Sequence, residues 1–225
     1  MLLFSHDIVP RMSKIDLATV DAIIFDLGGV LIEVDMEKPY QKIMELSPNK
    51  SPQLLDELRS IAYQYEVGKI EDNTFLEAIR ERAALDLPLA EIEAIWQEML
   101  GDFPDYVGEF LAQISNNKRT FILSNTNHLH IKKVVEKFRA NHPSYSWENL
   151  FEKIFYSYEI GLHKPDTKIY QYVIEHANLE PAKTLFIDDN YNNIIGAQKC
   201  GLKTLHLNPP MTLWQWFGVS HGNRG

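Results

Sequence analysis

Six polar residues suited to catalysis or ligand binding stand at or shortly after short apolar runs of this 225-residue sequence: Asp26, Ser124, Asn125, Lys164, Asp188 and Asp189. Three of them are carboxylates with no Cys/His cluster nearby, and such a set suits a hard, oxygen-seeking cation such as Mg²⁺. A lysine, a hydroxyl and adjacent backbone N–H groups suit a phosphoryl group. Together these residue types predict phosphoryl transfer, in which Asp26 attacks phosphorus and forms an aspartyl-phosphate.

Each of these residues, taken alone, also has a purely structural interpretation. An aspartate before Gly-Gly, as at Asp26, is a typical turn former, and Ser124 with Asn125 can cap the helix that follows. The adjacent carboxylates Asp188 and Asp189 fit this interpretation less well, because like charges repel each other unless a cation offsets them. The occurrence of all these residues at the ends of apolar runs therefore favours the catalytic interpretation.

The apolar runs predict the elements that must position these residues. They are short and rich in β-branched and aromatic residues, as in strands buried on both faces; the predicted strands are 22–25, 120–123, 154–156, 184–187 and 204–207. Helical patterns lie between the later runs, which indicates right-handed βαβ units and a parallel sheet. Ligands bind beyond the carboxyl ends of strands in such sheets. The predicted fold class is therefore α/β with a Rossmann-like parallel sheet core.

Residues 36–103 interrupt the alternation of strands and helices. Helical patterns follow one another there, with predicted starts at Ser51, Asp72 and Pro88. We therefore expect an all-helical cap domain inserted directly after the first strand. The predicted division of the chain is an N-terminal extension at 1–20, an α/β core hydrolase domain at 21–35 and 104–225, and the cap at 36–103.

Composition and charge limit the class of protein and of partner. The chain is 45% hydrophobic and 24% charged, as is typical of a globular protein with a sizeable core. Its one cysteine, Cys200, cannot form an internal disulfide. No apolar run approaches the roughly 18 residues of a membrane span, and no signal-peptide core precedes the first strand. We therefore expect a cytoplasmic protein.

The acidic balance of the chain disfavours two kinds of partner. With 31 acidic and 22 basic residues the formal net charge is −9. Binding to nucleic acid or to an anionic membrane relies on many lysine and arginine side chains that neutralise phosphates. A small-molecule phosphate ester needs only a few placed residues, so we expect such a substrate, bound by a monomer or weak homodimer.

Four segments, in this order along the chain, resemble the motifs of the haloacid dehalogenase superfamily. They are 24–31 (IFDLGGVL), 123–126 (LSNT), 161–166 (GLHKPD) and 186–190 (FIDDN). The likeness spans about residues 21 to 208. Within the superfamily the chain is most similar to bacterial sugar-phosphate phosphatases with a helical cap after the first strand. The stretch 123–130 (LSNTNHLH) especially resembles the glucose-1-phosphatase branch.

The resemblance implies a role for each residue of the predicted site. Asp26 is implied as the nucleophile, Ser124 and Asn125 as ligands of the phosphoryl group, and Lys164 as the cation that neutralises the phosphate and Asp26. Mg²⁺ is the implied cofactor. Its implied ligands are Asp26, the backbone carbonyl of Gly28, Asp189 and, directly or through water, Asp188.

Gly28 departs from the pattern of most phosphatases in this superfamily. They have a second aspartate two residues after the nucleophile, which acts as general acid and then as base, whereas here that side chain is absent. Loss of a positioned acid–base group typically costs on the order of 10² to 10⁴ in rate. The full enhancement for phosphate monoesters can approach about 10²¹. The loss therefore does not exclude catalysis, and we expect a preference for good leaving groups such as sugar 1-phosphates or acyl phosphates.

Three further sets of residues near the predicted site have a favoured structural interpretation. His128 and His130 can reach a substrate, but histidines at the start of a helix are more often exposed. Glu33 and Asp35 can replace the acid missing at position 28, but a solvated loop is the favoured interpretation. The aromatic residues of the cap are expected in its core: Tyr63, Tyr65 and Trp96.

Two other functions stay open at the level of the sequence. A metal-independent 2-haloacid dehalogenase resembles this fold and also lacks the second aspartate. The acidic pair Asp188 and Asp189 argues against it, because such a pair is costly without a cation. A non-catalytic phosphometabolite-binding protein, which has lost turnover with the acid at position 28, is the other possibility.

Overall fold

The structure is a computed structural model that describes residues 15–208 and 212–217. Within these residues one parallel sheet has the strand order β3-β2-β1-β4-β5. Its strands are β1 (Ala22–Phe25), β2 (Arg119–Ser124), β3 (Lys153–Tyr156), β4 (Thr184–Asp188) and β5 (Lys203–His206). The predicted α/β class with a Rossmann-like parallel sheet is confirmed, and each predicted strand agrees to within one residue at either end.

The central strand β1 ends level with both of its neighbours. Phe25, the last residue of β1, is paired with Ile122 of β2 and Ile187 of β4. Asp26 continues the ladder by one residue, since its backbone N–H donates to the Ile187 carbonyl at 2.8 Å. The residues that follow these three strands therefore lie at the same edge of the sheet, where ligands bind in such folds.

The chain between β1 and β2 forms a helical layer with its own apolar core. Its helices are α1 (Lys38–Leu46), α2 (Pro52–Glu66), α3 (Asp72–Arg82) and α4 (Leu89–Gln97). Phe75, Trp96 and Ile92 are fully buried at its centre. The sequence analysis predicts α2, α3 and α4 but missed α1, although Tyr40, Ile43 and Met44 have the i, i+3, i+4 spacing of an amphipathic helix. The layer α1–α4 is called the cap below, and its separation from the core as a domain at 36–103 stays a prediction.

The remaining helices cover the two faces of the sheet. They are α5 (Val107–Ser115), α6 (His128–Asn141), α7 (Ser157–Ile160), α8 (Thr167–His176), α9 (Tyr191–Gln198) and α10 (Leu213–Phe217). Successive strand residues point to opposite faces, so Ile23 and Phe25 join one apolar cluster with α5, α6 and α10. Ile24 joins the other cluster, with α8 and α9.

Two observations concern the ends of the chain and membranes. Most of the predicted N-terminal extension, residues 1–14, lies outside the described residues, and Leu17–Thr19 form a 3₁₀ turn. None of the helices in 15–208 and 212–217 has both the length and the apolar character of a membrane span.

The two segments that join the cap to the core run side by side. Val34 and Leu100 form an antiparallel bridge. The Gly101 N–H donates to the Glu33 carbonyl at 2.8 Å, and the Asp35 N–H donates to the Met99 carbonyl at 2.9 Å. The cap thus leaves and re-enters the core through one short two-stranded ribbon.

Candidate active site

A cavity of about 210 Å³ lies between the carboxyl ends of the strands and the cap. Six of the seven predicted site residues line it: Asp26, Gly28, Ser124, Asn125, Lys164 and Asp189. The seventh, Asp188, has no exposed surface and hydrogen bonds to Lys164. The structure therefore brings all the predicted site residues together.

Asp26 is held at the end of β1 by two donors on one oxygen. Its Oδ1 accepts the Leu27 N–H at 2.7 Å and lies 2.9 Å from Lys164 Nζ. Within the described part of the chain Oδ2 accepts no hydrogen bond, so this oxygen is available to a ligand. Burial, with the neighbouring Asp188 carboxylate, raises the pKa of Asp26 to about 7 despite the positive charge of Lys164.

Lys164 is a fully buried ammonium group between two carboxylates. Its Nζ lies 2.9 Å from Asp26 Oδ1 and 2.7 Å from Asp188 Oδ2, and 1% of its surface is exposed. Burial alone lowers the pKa of Lys164, but Asp188 and Asp26 outweigh that effect and raise it. Lys164 is therefore positively charged at neutral pH.

Asn125 positions the backbone of Lys164. Its Oδ1 accepts the Lys164 N–H at 2.9 Å, and its Nδ2 donates to the Lys164 carbonyl at 3.0 Å. The carboxamide of Asn125 is thus engaged with the loop, which leaves its backbone N–H for a ligand. Ser124 differs, because its hydroxyl borders the cavity without a hydrogen bond to any described residue.

Asp188 is held in place by its own neighbours after β4. Asn193 Nδ2 donates to both of its oxygens, at 3.1 and 3.0 Å, and the Asn190 N–H donates to Oδ1 at 2.8 Å. With Lys164 on Oδ2, every oxygen of Asp188 has a donor. These donors fix the orientation of the buried Asp188 carboxylate beside Lys164.

Three carboxylates converge here with one cation. Asp26, Asp188 and Asp189 each offer an oxygen, and these oxygens lie within 4.8 Å of one another. Burial, and then Asp188, raise the pKa of Asp189. When all three carboxylates are ionised, Lys164 offsets one of their charges and the cluster has a net charge of −2. The donor set therefore fits a hard divalent cation.

Gly29 allows Asp189 to approach the first loop. Its backbone has a φ of +73°, and a Cβ there would lie 2.2 Å from Asp189 Oδ2. Any larger residue would push the Asp189 carboxylate away from Asp26. The glycine at position 29 therefore allows Asp189 to take its place in the carboxylate cluster.

The side of the cavity at Gly28 is apolar. A Cβ at position 28 would lie 3.2 and 3.4 Å from the two methyl carbons of Val34, which also lines the cavity. Glu33 and Asp35 are exposed and do not line this cavity, and Asp35 Oδ1 accepts the N–H groups of Glu37 and Lys38. The solvated-loop interpretation of this segment is confirmed, and neither residue replaces the missing acid.

The prediction of exposed histidines is right for His128 and wrong for His130. The His128 side chain is 58% exposed and bonds to Asp72, whereas His130 is 4% exposed and stacks on Trp96 at 5.3 Å. Its Nε2–H donates to the Trp96 carbonyl, its Nδ1 accepts from Asn127, and burial lowers its pKa to about 4. The cap covers this helix end, which the sequence could not show.

The prediction that the cap aromatics form its core is wrong for one of them. Tyr65 and Trp96 are buried in the cap cluster, but Tyr63 is 49% exposed and its ring meets that of His163 edge-on at 5.2 Å. Residues two apart on a helix point about 200° from each other. Tyr63 and Tyr65 therefore cannot face the same core.

Glu66 is a site residue to which the sequence analysis assigned no role. It is the last residue of α2 and lines the cavity from the cap, and its Oε2 lies 3.0 Å from His163 Nε2. One sequence signal was available, because an acidic residue at a helix C-terminus opposes the macrodipole. Such local costs are expected at functional sites.

Known proteins of one hydrolase family resemble this chain. The family model of haloacid dehalogenase-like hydrolases matches residues 20–201. The chain is similar to a D-ribitol-5-phosphate phosphatase of Bacteroides thetaiotaomicron, with 25% identity over 189 residues, or 81% of this chain and 89% of that protein. It is also similar to a sesquiterpene phosphatase of Aspergillus oryzae, with 28% identity over 194 residues, or 84% and 90% of the two chains.

A solved structure resembles the whole described fold. It is a HAD family enzyme from Bacteroides thetaiotaomicron in complex with magnesium and inorganic phosphate. The TM-score is 0.80 and the identity 31%, and the match covers 88% of this chain and 99% of that one.

Proposed function

The chain belongs to the haloacid dehalogenase-like hydrolases and is a phosphoric monoester hydrolase of that family, and we propose that it is a Mg²⁺-dependent phosphatase with Asp26 as its nucleophile. The observation that carries this proposal is the group of Asp26, Asp188 and Asp189 around Lys164, whose converging carboxylate oxygens favour binding of a divalent cation. A phosphate-ester screen with Mg²⁺ and with EDTA tests it. Hydrolysis only with Mg²⁺ is the expected result.

The chemistry follows from the contacts of Asp26. Leu27 and Lys164 hold Oδ1, so Oδ2 attacks phosphorus, the bond to the leaving oxygen breaks, and an aspartyl-phosphate forms. Lys164 and the Ser124 hydroxyl bind the phosphoryl oxygens, together with the backbone N–H of Asn125. Water then hydrolyses the aspartyl-phosphate, which releases inorganic phosphate and restores the Asp26 carboxylate.

The metal, when bound, supplies positive charge to the phosphoryl oxygens. The residues that would hold it are Asp26, the Gly28 backbone carbonyl, Asp189 and Asp188. Asp188 already accepts bonds from Lys164, Asn190 and Asn193, which favours a contact through water for this residue. The cap closes over the cavity, excludes bulk water and selects the substrate.

The carboxylate cluster predicts how Mg²⁺ affects stability at different pH values. The folded-state pKa of Asp26 is raised from 3.8 to about 7. Its contribution to stability is therefore present below about pH 4 and is lost as the pH rises through about 7 in metal-free protein. Because Mg²⁺ binds the ionised carboxylates, it should raise the thermal unfolding midpoint more near pH 8 than near pH 5.

Thermal unfolding with Mg²⁺ or EDTA at the two pH values measures this difference. Asp189→Asn should reduce the effect, whereas Asp21→Asn, an exposed aspartate at the opposite end of β1, should not. Equal shifts at both pH values would contradict the proposed role of the cluster.

The proposed substrate is a small phosphorylated alcohol, such as a sugar phosphate. The names of the two phosphatase relatives support an alcohol phosphate, and among the hydroxyl groups of a sugar the anomeric one is the better leaving group. We therefore expect kcat/KM for a sugar 1-phosphate to exceed that for the same sugar's 6-phosphate by about tenfold, since the anomeric oxygen leaves more readily. A preference for the 6-phosphate would refute this assignment.

Two alternatives make different predictions. A metal-independent 2-haloacid dehalogenase would keep its activity in EDTA and release halide, but it leaves the net charge of −2 at the carboxylate cluster unexplained. A non-catalytic phosphometabolite-binding protein would trap beryllium fluoride or vanadate without hydrolysing any phosphate ester. The screen described above separates both from the proposed phosphatase.

A further inference from the structure

Only a few titratable side chains line the cavity within the described residues, and most have an evident role. They are Asp26, Glu66, His130, Lys164 and Asp189. Asp26, Lys164 and Asp189 belong to the carboxylate cluster. Both ring nitrogens of His130 are engaged with Asn127 and Trp96. Glu66 is therefore the one titratable group of this set that the chemistry at the phosphoryl end does not use.

Glu66 stands on the side of the cavity where the leaving group must lie. Asp26 forms the floor at the end of β1, while Glu66 projects from the cap with Met36 and Met99. In phosphoryl transfer the attacking and leaving oxygens are roughly in line. The leaving oxygen therefore points away from Asp26 and toward the cap. Within the described residues Glu66 is the charged side chain on that wall.

The Glu66 carboxylate forms a hydrogen bond with His163 of the core. His163 Nδ1 lies 2.6 Å from the Lys164 carbonyl oxygen and 3.1 Å from Asn125 Nδ2, and the shorter contact favours a hydrogen on Nδ1, since a carbonyl oxygen only accepts. His163 Nε2 lies 3.0 Å from Glu66 Oε2, and this contact requires a second hydrogen on one of the two atoms. This hydrogen bond gives Glu66 a partner from which it can take a proton and to which it can return one.

We propose that Glu66 is the general acid for the leaving group, in place of the side chain absent at Gly28. The proposal rests on the proposed phosphatase function. As Asp26 Oδ2 bonds to phosphorus, the bond from phosphorus to the leaving oxygen breaks, and the proton held by Glu66 and His163 passes to that oxygen. In the second step Glu66 takes a proton from the attacking water, so that the pair regains its proton and phosphate is released.

The test uses esters without sugar hydroxyls, so that hydrogen bonds between Glu66 and a sugar do not contribute to the measured kcat/KM. Kinetics of parent and Glu66→Gln are compared on ethyl phosphate, phenyl phosphate and 4-nitrophenyl phosphate, whose leaving groups become progressively less basic. We expect Glu66→Gln to lose about 10²- to 10⁴-fold in kcat/KM on ethyl phosphate and less than about threefold on 4-nitrophenyl phosphate. Glu66→Asp should recover part of the loss, because it keeps the carboxyl group.

The matched control is Glu71→Gln, an exposed cap residue that does not line the cavity and should keep the parent's rates. The unfolding midpoints of all variants are measured, and Glu66→Asp serves if Glu66→Gln fails to fold. An equal loss on all three esters, or no loss on any, overturns the role of Glu66 while the phosphatase function stands. If the parent hydrolyses none of them, both proposals fall.

Discussion

Asp26→Asn should abolish turnover while the fold stays intact. Asparagine has the same shape, and its carbonyl oxygen can still accept the Leu27 N–H that Asp26 Oδ1 accepts at 2.7 Å. The amide nitrogen that replaces Oδ2 is not a nucleophile, so no aspartyl-phosphate can form. Loss of the nucleophile should reduce kcat by about 10⁴-fold or more. Steady-state hydrolysis of the best ester from the screen measures the effect.

The control for this variant is Asp21→Asn, at the other end of the same strand. The Asp21 side chain is 67% exposed and far from the cavity lining, so this variant should keep the parent's kcat. Loss of one charged contact to Lys164 should change the unfolding midpoint of Asp26→Asn only slightly, because burial already disfavours the Asp26 carboxylate. Activity of Asp26→Asn close to that of the parent would refute the assigned nucleophile.

Lys164→Met should lower both stability and activity. Methionine fills much of the same space but leaves the buried carboxylates Asp26 and Asp188 without their shared cation. Removal of one partner from a buried ion pair typically costs 3–5 kcal/mol, here roughly 4. For a chain of this size the unfolding midpoint should fall by roughly 6–20 °C. Hydrolysis should fall as well, since the phosphoryl group loses its buried positive charge.

The stability loss of Lys164→Met should depend on pH and on Mg²⁺. It should be smaller near pH 5, where Asp26 with its raised pKa takes up a proton, and smaller with Mg²⁺ than with EDTA. Lys168→Met, an exposed lysine at the start of α8, is the matched control and should behave as the parent. An unchanged midpoint in EDTA near pH 8 would show that Lys164 does not carry the charge balance proposed for the site.

Much of the fold and the floor of the site could be predicted from local sequence. Strands buried on both faces read as continuous apolar runs, and β1, at Ala22–Phe25, begins and ends at the predicted residues. Residues that follow parallel strands must meet at one edge, which is why Asp26 and Asp188 were found together. These inferences need only the period of the pattern and the topology of the sheet.

The wall that the cap contributes could not be predicted in this way. Glu66 and His163 are 97 residues apart, and their contact depends on how the cap docks on the core. The burial of His130 against Trp96 has the same origin. Helix α1 was missed although its apolar residues have helical spacing, because it is only nine residues long and no side-chain cap marks its start. Local sequence patterns therefore identify the site residues at the ends of the strands. The residues on the cap side of the cavity depend on how the cap packs against the core.

The ribbon that connects cap and core also bears on how such an enzyme can change. Glu33 and Gly101 are hydrogen-bonded neighbours on the two connecting segments. The residues between them therefore form an insert whose two ends lie next to each other. Residues paired across antiparallel segments are only about 5 Å apart, a gap that a short turn closes. A different insert can be grafted at this point without altering the pairing of β1 with β2 and β4. Under the function proposed above, exchange of this insert would change the leaving group that is accepted, while Asp26 and Lys164 keep their places in the core.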